Sequence, residues 1–107
     1  MKKFVAIVLA LALSLCCVSA LAAEKLTVIA TPSPHAEILE LIKEDLAALG
    51  YDLDVLVVTD YVTENPAVAG GDVQANFFQH IPYLADYNAT ASDSEKLVGV
   101  IPTHFEP

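Results

Sequence analysis

The pattern of hydrophobic and polar positions changes period several times along this chain, and each change marks an element. Lys25-Leu26-Thr27-Val28-Ile29-Ala30 is mostly apolar and β-branched and stops at Thr31-Pro32-Ser33-Pro34, which predicts a strand and then a turn. A helix is predicted next: Ser33 suits its cap, Pro34 its first position, and Ile38, Ile42, Leu46 and Leu49 fall at i, i+4, i+8 and i+11 as one apolar stripe. Gly50 stops it. Residues 53–59 read as a second strand, and their run of four apolar residues predicts burial on both faces. A short helix over 64–69, closed by Gly70-Gly71, leads to a short third strand over 73–77. A helix over 81–88, a polar loop over 89–95 and a fourth strand over 96–101 complete the order.

Alternating strands and helices predict an α/β fold with a largely parallel sheet, and right-handed crossovers leave few topologies for it. Open sheets of this kind bind ligands at the carboxyl ends of their strands. That rule selects residues 31–35, Asp60-Tyr61, residues 76–80 and residues 103–106. They hold all three histidines, His35, His80 and His104, with Tyr61, Phe77 and Phe78. Rings followed by an amide and an imidazole, as in Asn76-Phe77-Phe78-Gln79-His80, suit an apolar ligand with a polar head. The competing reading makes Phe77 and Phe78 core residues, but consecutive strand residues point to opposite faces. Asp60 is read as a turn cap and His35 as a surface residue. His104 and Glu106 share a strand parity and are expected to face the same side, where they could hold a ligand ammonium.

Charge narrows the classes. The chain has no arginine, and outside Lys2 and Lys3 it has three lysines against 14 acidic residues. A basic face for nucleic acid or anionic lipid is therefore excluded. The histidine spacings, 45 and 24 residues, carry no local metal signature, although three histidines among acids keep a zinc or manganese importer component as an alternative. No nucleophile motif or phosphate loop is present. No cofactor is expected, and an enzyme is not the expected class; a small secreted hydrolase using His and Glu as acid and base is the alternative.

The N-terminus has its own pattern. Lys2-Lys3 precedes an apolar run from Phe4 to Leu15, broken only at Ser14, and the small residues Ser19, Ala20, Ala22 and Ala23 follow. This predicts a signal peptide over 1–22, cleaved after Ala20-Leu21-Ala22, and an exported protein. Cys16 and Cys17 end the run; Cys17 is a candidate lipidation site, though Leu15 and Cys16 are not the small residues such sites prefer. If cleavage follows Ala22, no cysteine remains and stability rests on the core.

Several segments taken together resemble the methionine-binding lipoprotein family, the NlpA-type substrate-binding proteins of ABC methionine importers. They are Thr31-Pro32-Ser33-Pro34-His35-Ala36-Glu37-Ile38-Leu39, Thr59-Asp60-Tyr61-Val62, Ala75-Asn76-Phe77-Phe78-Gln79-His80-Ile81-Pro82-Tyr83-Leu84 and His104-Phe105-Glu106-Pro107. Asn65-Pro66 reverses the family's usual order, and Phe77 replaces a usual Tyr. The resemblance implies that residues 23–107 form part of a periplasmic-binding-protein-like (type II) lobe, the first of two that close on an amino acid. It implies a ligand pocket lined by Tyr61, Phe77, Phe78, His80, His104 and Glu106. Methionine or a related amino acid is the implied ligand, and an ABC permease with its ATPase the implied partners. The implied location is the periplasm or the outer face of the cell membrane, with contact to the membrane only through a lipid anchor. A ligand carboxylate usually meets a guanidinium, and with no arginine here that partner is expected outside this segment. The isolated chain is therefore expected to bind methionine weakly or not at all; a truncated relic without function is the remaining alternative.

Overall fold

The computed structural model describes residues 1–7 and 22–105. Three strands, β1 (Glu24–Ala30), β2 (Tyr51–Val57) and β3 (Ala75–Phe77), form a parallel sheet in the order β2-β1-β3. Four helices connect or follow them: α1 (Glu37–Leu41), α2 (Lys43–Ala48), α3 (Glu64–Ala69) and α4 (Ile81–Thr90).

β1 is the centre of the sheet, and its register explains the core. Leu26 pairs with Leu53, Val28 with Val55 and Ala75, and Ala30 with Val57 and Phe77. Alternate residues share a face, so these side chains line one side of the sheet. There Val28, Ala30 and Leu53 meet Ala36 and Leu39, with Leu26, Leu46, Val55, Ala75 and Phe77 packed around them. Ile29 points the other way and is only 1% exposed. Removing one such side chain from water is worth about 2 kcal/mol. Gly50, at φ +91°, reverses the chain from α2 into β2, and its carbonyl accepts from Glu24 N–H at 2.9 Å.

The structure moves several expected boundaries. Ser33 is extended (φ −130°, ψ 132°) and caps nothing; a turn over Pro32–Ala36 precedes α1, closed by Ala36 N–H on Thr31 O. The expected single helix breaks at Ile42 (φ −98°, ψ 2°) into α1 and α2. The turn and the break together fix the rotation of these helices on the sheet. Ala36 and Leu39 face the core and Leu46 packs at its edge, whereas Ile38, Ile42 and Leu49 of the expected stripe are exposed. β2 starts and ends two residues earlier than expected, because its register is set by pairing with β1 from Glu24↔Tyr51. It is an edge strand buried on one face only, at Leu53; Leu56 and Val57 are about half exposed.

β3 begins at Ala75 rather than 73, because a turn occupies the preceding residues. Gln74 still extends the pairing: its N–H donates to Thr27 O at 3.1 Å and its side-chain Oε1 accepts from Thr27 N–H at 2.7 Å. The expected fourth strand is absent. Residues 96–101 have no ladder partner among the described residues, and Val98, Val100 and Ile101 are each more than three-quarters exposed. Among the described residues no helix is long and apolar enough to cross a membrane.

Candidate functional site

β3 ends at Phe77 and Phe78 follows it directly, and the two consecutive rings point to opposite sides of the sheet. Phe77 joins the α1–α2 side of the core, where the edge of His35 meets it at 4.7 Å between ring centres and 86° between planes. His35 Nδ1 lies 2.7 Å from the buried Thr31 hydroxyl. Burial lowers the His35 pKa below its usual 6.5, and the nearby His104 adds to that depression. His35, expected on the surface, is thus half-buried against a site ring. Its spacing of four residues from Thr31 across the turn after β1 was the available signal.

Phe78 lies on the opposite side and is buried. Tyr61 stacks on it at 6.2 Å and 23°, and Tyr83 meets it edge-on at 5.5 Å and 78°. Such ring pairs contribute about 1 kcal/mol each beyond their burial. The loop holding Tyr61 is fixed at two points. Asp60 Oδ1 accepts from the N–H groups of Val62 (2.9 Å) and Thr63 (2.8 Å), which is the expected turn cap. The Thr63 side chain and these backbone donors pull the Asp60 pKa below its usual 3.8. Tyr83 Oη donates to the Tyr61 carbonyl. His80 precedes α4, and its Nδ1 accepts from Tyr83 N–H at 3.1 Å, an N-cap. In the neutral ring the proton then sits on Nε2.

Below these rings lies an amide cluster. Asn65 Oδ1 accepts from Asn76 Nδ2 (2.9 Å) and Gln79 Nε2 (2.7 Å), and Asn65 Nδ2 donates to Gln79 Oε1 (3.0 Å). Asn65 is 2% exposed, so these bonds replace the water it has lost. They tie the start of α3 to the end of β3 and fix the residue before His80. The neighbouring Glu64 is different: it is fully buried, and neither carboxylate oxygen has a hydrogen-bond partner. Burial raises its pKa above the usual 4.5, its own backbone N–H pulls the other way, and Asp60 adds to the rise.

Tyr61, Phe78 and His80 are therefore brought together, all three around Tyr83, which sequence reasoning placed in a motif but not in the site. Phe77 stands on the other face with His35. His104 is exposed and coupled electrostatically to His35. Residues 103–105 form no strand, so the expected parity between His104 and Glu106 does not apply; Glu106 and Cys17 lie outside the described residues. The three lysines of the described segment from residue 22 onward all pair with acids: Lys25 with Asp54, Lys43 with Glu40 and Lys96 with Asp93. None of these pairs is at a strand carboxyl end. Among the described residues, no three His, Cys, Asp or Glu side chains converge as metal ligands. A hollow of about 330 Å³ lies between α3 and the end of α4, bordered by Pro66, Ala69 and Tyr87; Tyr61, Phe77, Phe78 and His80 do not line it.

A parallel sheet with flanking helices, whose strand ends present rings, an imidazole and amides, is an incomplete α/β lobe. The chain belongs to the NlpA lipoprotein family, whose model matches residues 26–107. It is 44% identical over 84 residues to a Bacillus subtilis protein named methionine-binding lipoprotein MetQ, covering 78% of this chain and 30% of that one. Among solved structures, a Ruminococcus gnavus lipoprotein matches with a TM-score of 0.61 at 48% identity, covering 63% of this chain and 28% of that one. Lipoprotein Tp32 of Treponema pallidum matches with a TM-score of 0.60 at 37% identity, covering 63% and 28%. The chain thus spans less than a third of the length of these relatives.

Proposed function

We propose that this chain supplies the strand-end wall of an extracytoplasmic substrate-binding protein that holds methionine, or a related amino acid, for an ABC importer. The observation that carries the reading is the cluster of Tyr61, Phe78 and His80 at the carboxyl ends of a parallel sheet, in a chain similar to a protein named for methionine binding. Aromatic rings suit a thioether, because sulfur is polarizable and packs well against ring edges. The Nε2 proton of His80 offers a hydrogen bond to the ligand's polar end. The ligand's carboxylate needs a cation that residues 22–105 do not offer at the strand ends, so a second lobe completes the site. Export directed by the N-terminal segment is part of the same proposal, with Cys17 as the anchor where cleavage falls before it and a soluble protein where cleavage follows Ala22; the permease and ATPase are its partners.

The test uses a version of the chain extended to two lobes. Phe78→Ala and His80→Ala are expected to weaken methionine binding by about tenfold or more, since each removes a buried ring contact or a polar contact worth about 1–3 kcal/mol. Unchanged affinity in both variants would remove this face from the site.

A further inference from the structure

Tyr83 touches each of the three residues just assigned to the ligand, through a different group each time. Its hydroxyl donates to the Tyr61 carbonyl, its ring edge meets Phe78, and its backbone N–H is held by His80 Nδ1. Tyr61 sits in a loop, is 61% exposed as a residue, and stacks its ring on Phe78. Asp60 holds the loop from the side of α3. The Tyr83 hydroxyl ties the loop after β2 to the start of α4.

From this we infer that Tyr83 is the positioning residue of the site. It holds the Tyr61 ring over Phe78 before ligand arrives, so that the aromatic wall is preformed. The inference rests on the proposed amino-acid site, but its geometry can be tested apart from it. A preformed wall binds more tightly than a mobile one, because the ordering of the loop is not charged against binding. Tyr83→Phe removes only the hydroxyl; the ring edge on Phe78 and the N–H on His80 remain.

The experiment is run on the two-lobed version, in the native background and with Tyr61→Trp as a reporter; residues 1–107 hold no tryptophan, and any tryptophan of the extension is replaced by phenylalanine. Tyr83→Phe is expected to weaken methionine binding by about fivefold, the loss of one net hydrogen bond. The rise should appear mainly in the dissociation rate. In the reporter background, the same change is expected to lower the fluorescence anisotropy of the residue-61 tryptophan without ligand. A purely structural role would lower thermal stability and leave the reporter's mobility as it was. Unchanged affinity together with unchanged anisotropy would overturn the inference while leaving the binding proposal in place. If the parent does not bind methionine, the functional proposal fails, and the anisotropy comparison alone decides whether Tyr83 holds the loop.

Discussion

Leu26-Thr27-Val28-Ile29-Ala30 and Leu97-Val98-Gly99-Val100-Ile101 have nearly the same make-up, and the structure treats them differently. The first is a central strand with a neighbour on each side; Val28, Ile29 and Ala30 are 7%, 1% and 0% exposed. The second has no ladder partner among the described residues. Its first residue is held by one side chain: Asn88 Nδ2 donates to Leu97 O at 2.8 Å, and Leu97 N–H donates back to Asn88 Oδ1 at 2.9 Å. That single amide does for Leu97 what a partner strand would do along a ladder. Beyond it, Val98, Val100 and Ile101 face solvent. β-Branched composition confers suitability for a sheet, and a pairing partner with a covering layer makes the strand.

The comparison is broken most sharply by cutting equal side chains from the two segments. Ile29→Ala is expected to destabilise by about 3 kcal/mol, the usual cost of emptying a closed core position. Ile101→Ala should change stability by less than about 0.5 kcal/mol. Urea titration of both variants checks this; equal losses would mean that residues 96–101 are packed. Next in size is Asn65→Ala, which leaves Asn76 and Gln79 without their shared acceptor and should cost about 2 kcal/mol. A loss confined to a few tenths would show that water replaces the amide.

A pH series sharpens the contrast between two acids in one turn. The folded pKa of Glu64 is raised, so the folded state holds its proton more tightly than the unfolded chain. Its contribution is fully present below the usual 4.5 and is lost as pH rises through the raised value. Asp60 is opposite in sign: its folded pKa is depressed, so its contribution is present above 3.8 and is lost as pH falls through the lower value. Glu64→Gln, which keeps the shape without the charge, is expected to raise the melting temperature at pH 7 relative to the parent and to lose that advantage near pH 4. A Gln variant that is less stable than the parent at pH 7 would mean that the ionised carboxylate is paired. The smallest effect belongs to Val100→Thr, expected within about 0.5 kcal/mol of the parent because the site is exposed.

Much of this architecture is legible in the sequence because it is local. β1 ends where the Pro-rich turn begins, Gly50 adopts the positive φ that a helix stop needs, and α3 runs over Glu64–Ala69 as the pattern indicates. The opposite directions of Phe77 and Phe78 also follow from pleating alone. What escaped depends on partners distant in sequence. The rotation of α1 and α2 is decided by a turn and a break, not by the Ile38-Ile42 spacing. The half-burial of His35 depends on Phe77, 42 positions away, and the role of Tyr83 depends on a carbonyl in another loop. The missing fourth strand shows the same limit, since no local pattern records whether a neighbour is there.

The most direct test is calorimetric titration of methionine into residues 23–107 and into their two-lobed extension. The account predicts saturable binding by the extension and no saturable heat from the chain alone at millimolar methionine. Micromolar binding by the chain alone, or none by the extension, would contradict the assignment of this lobe as half of a methionine site.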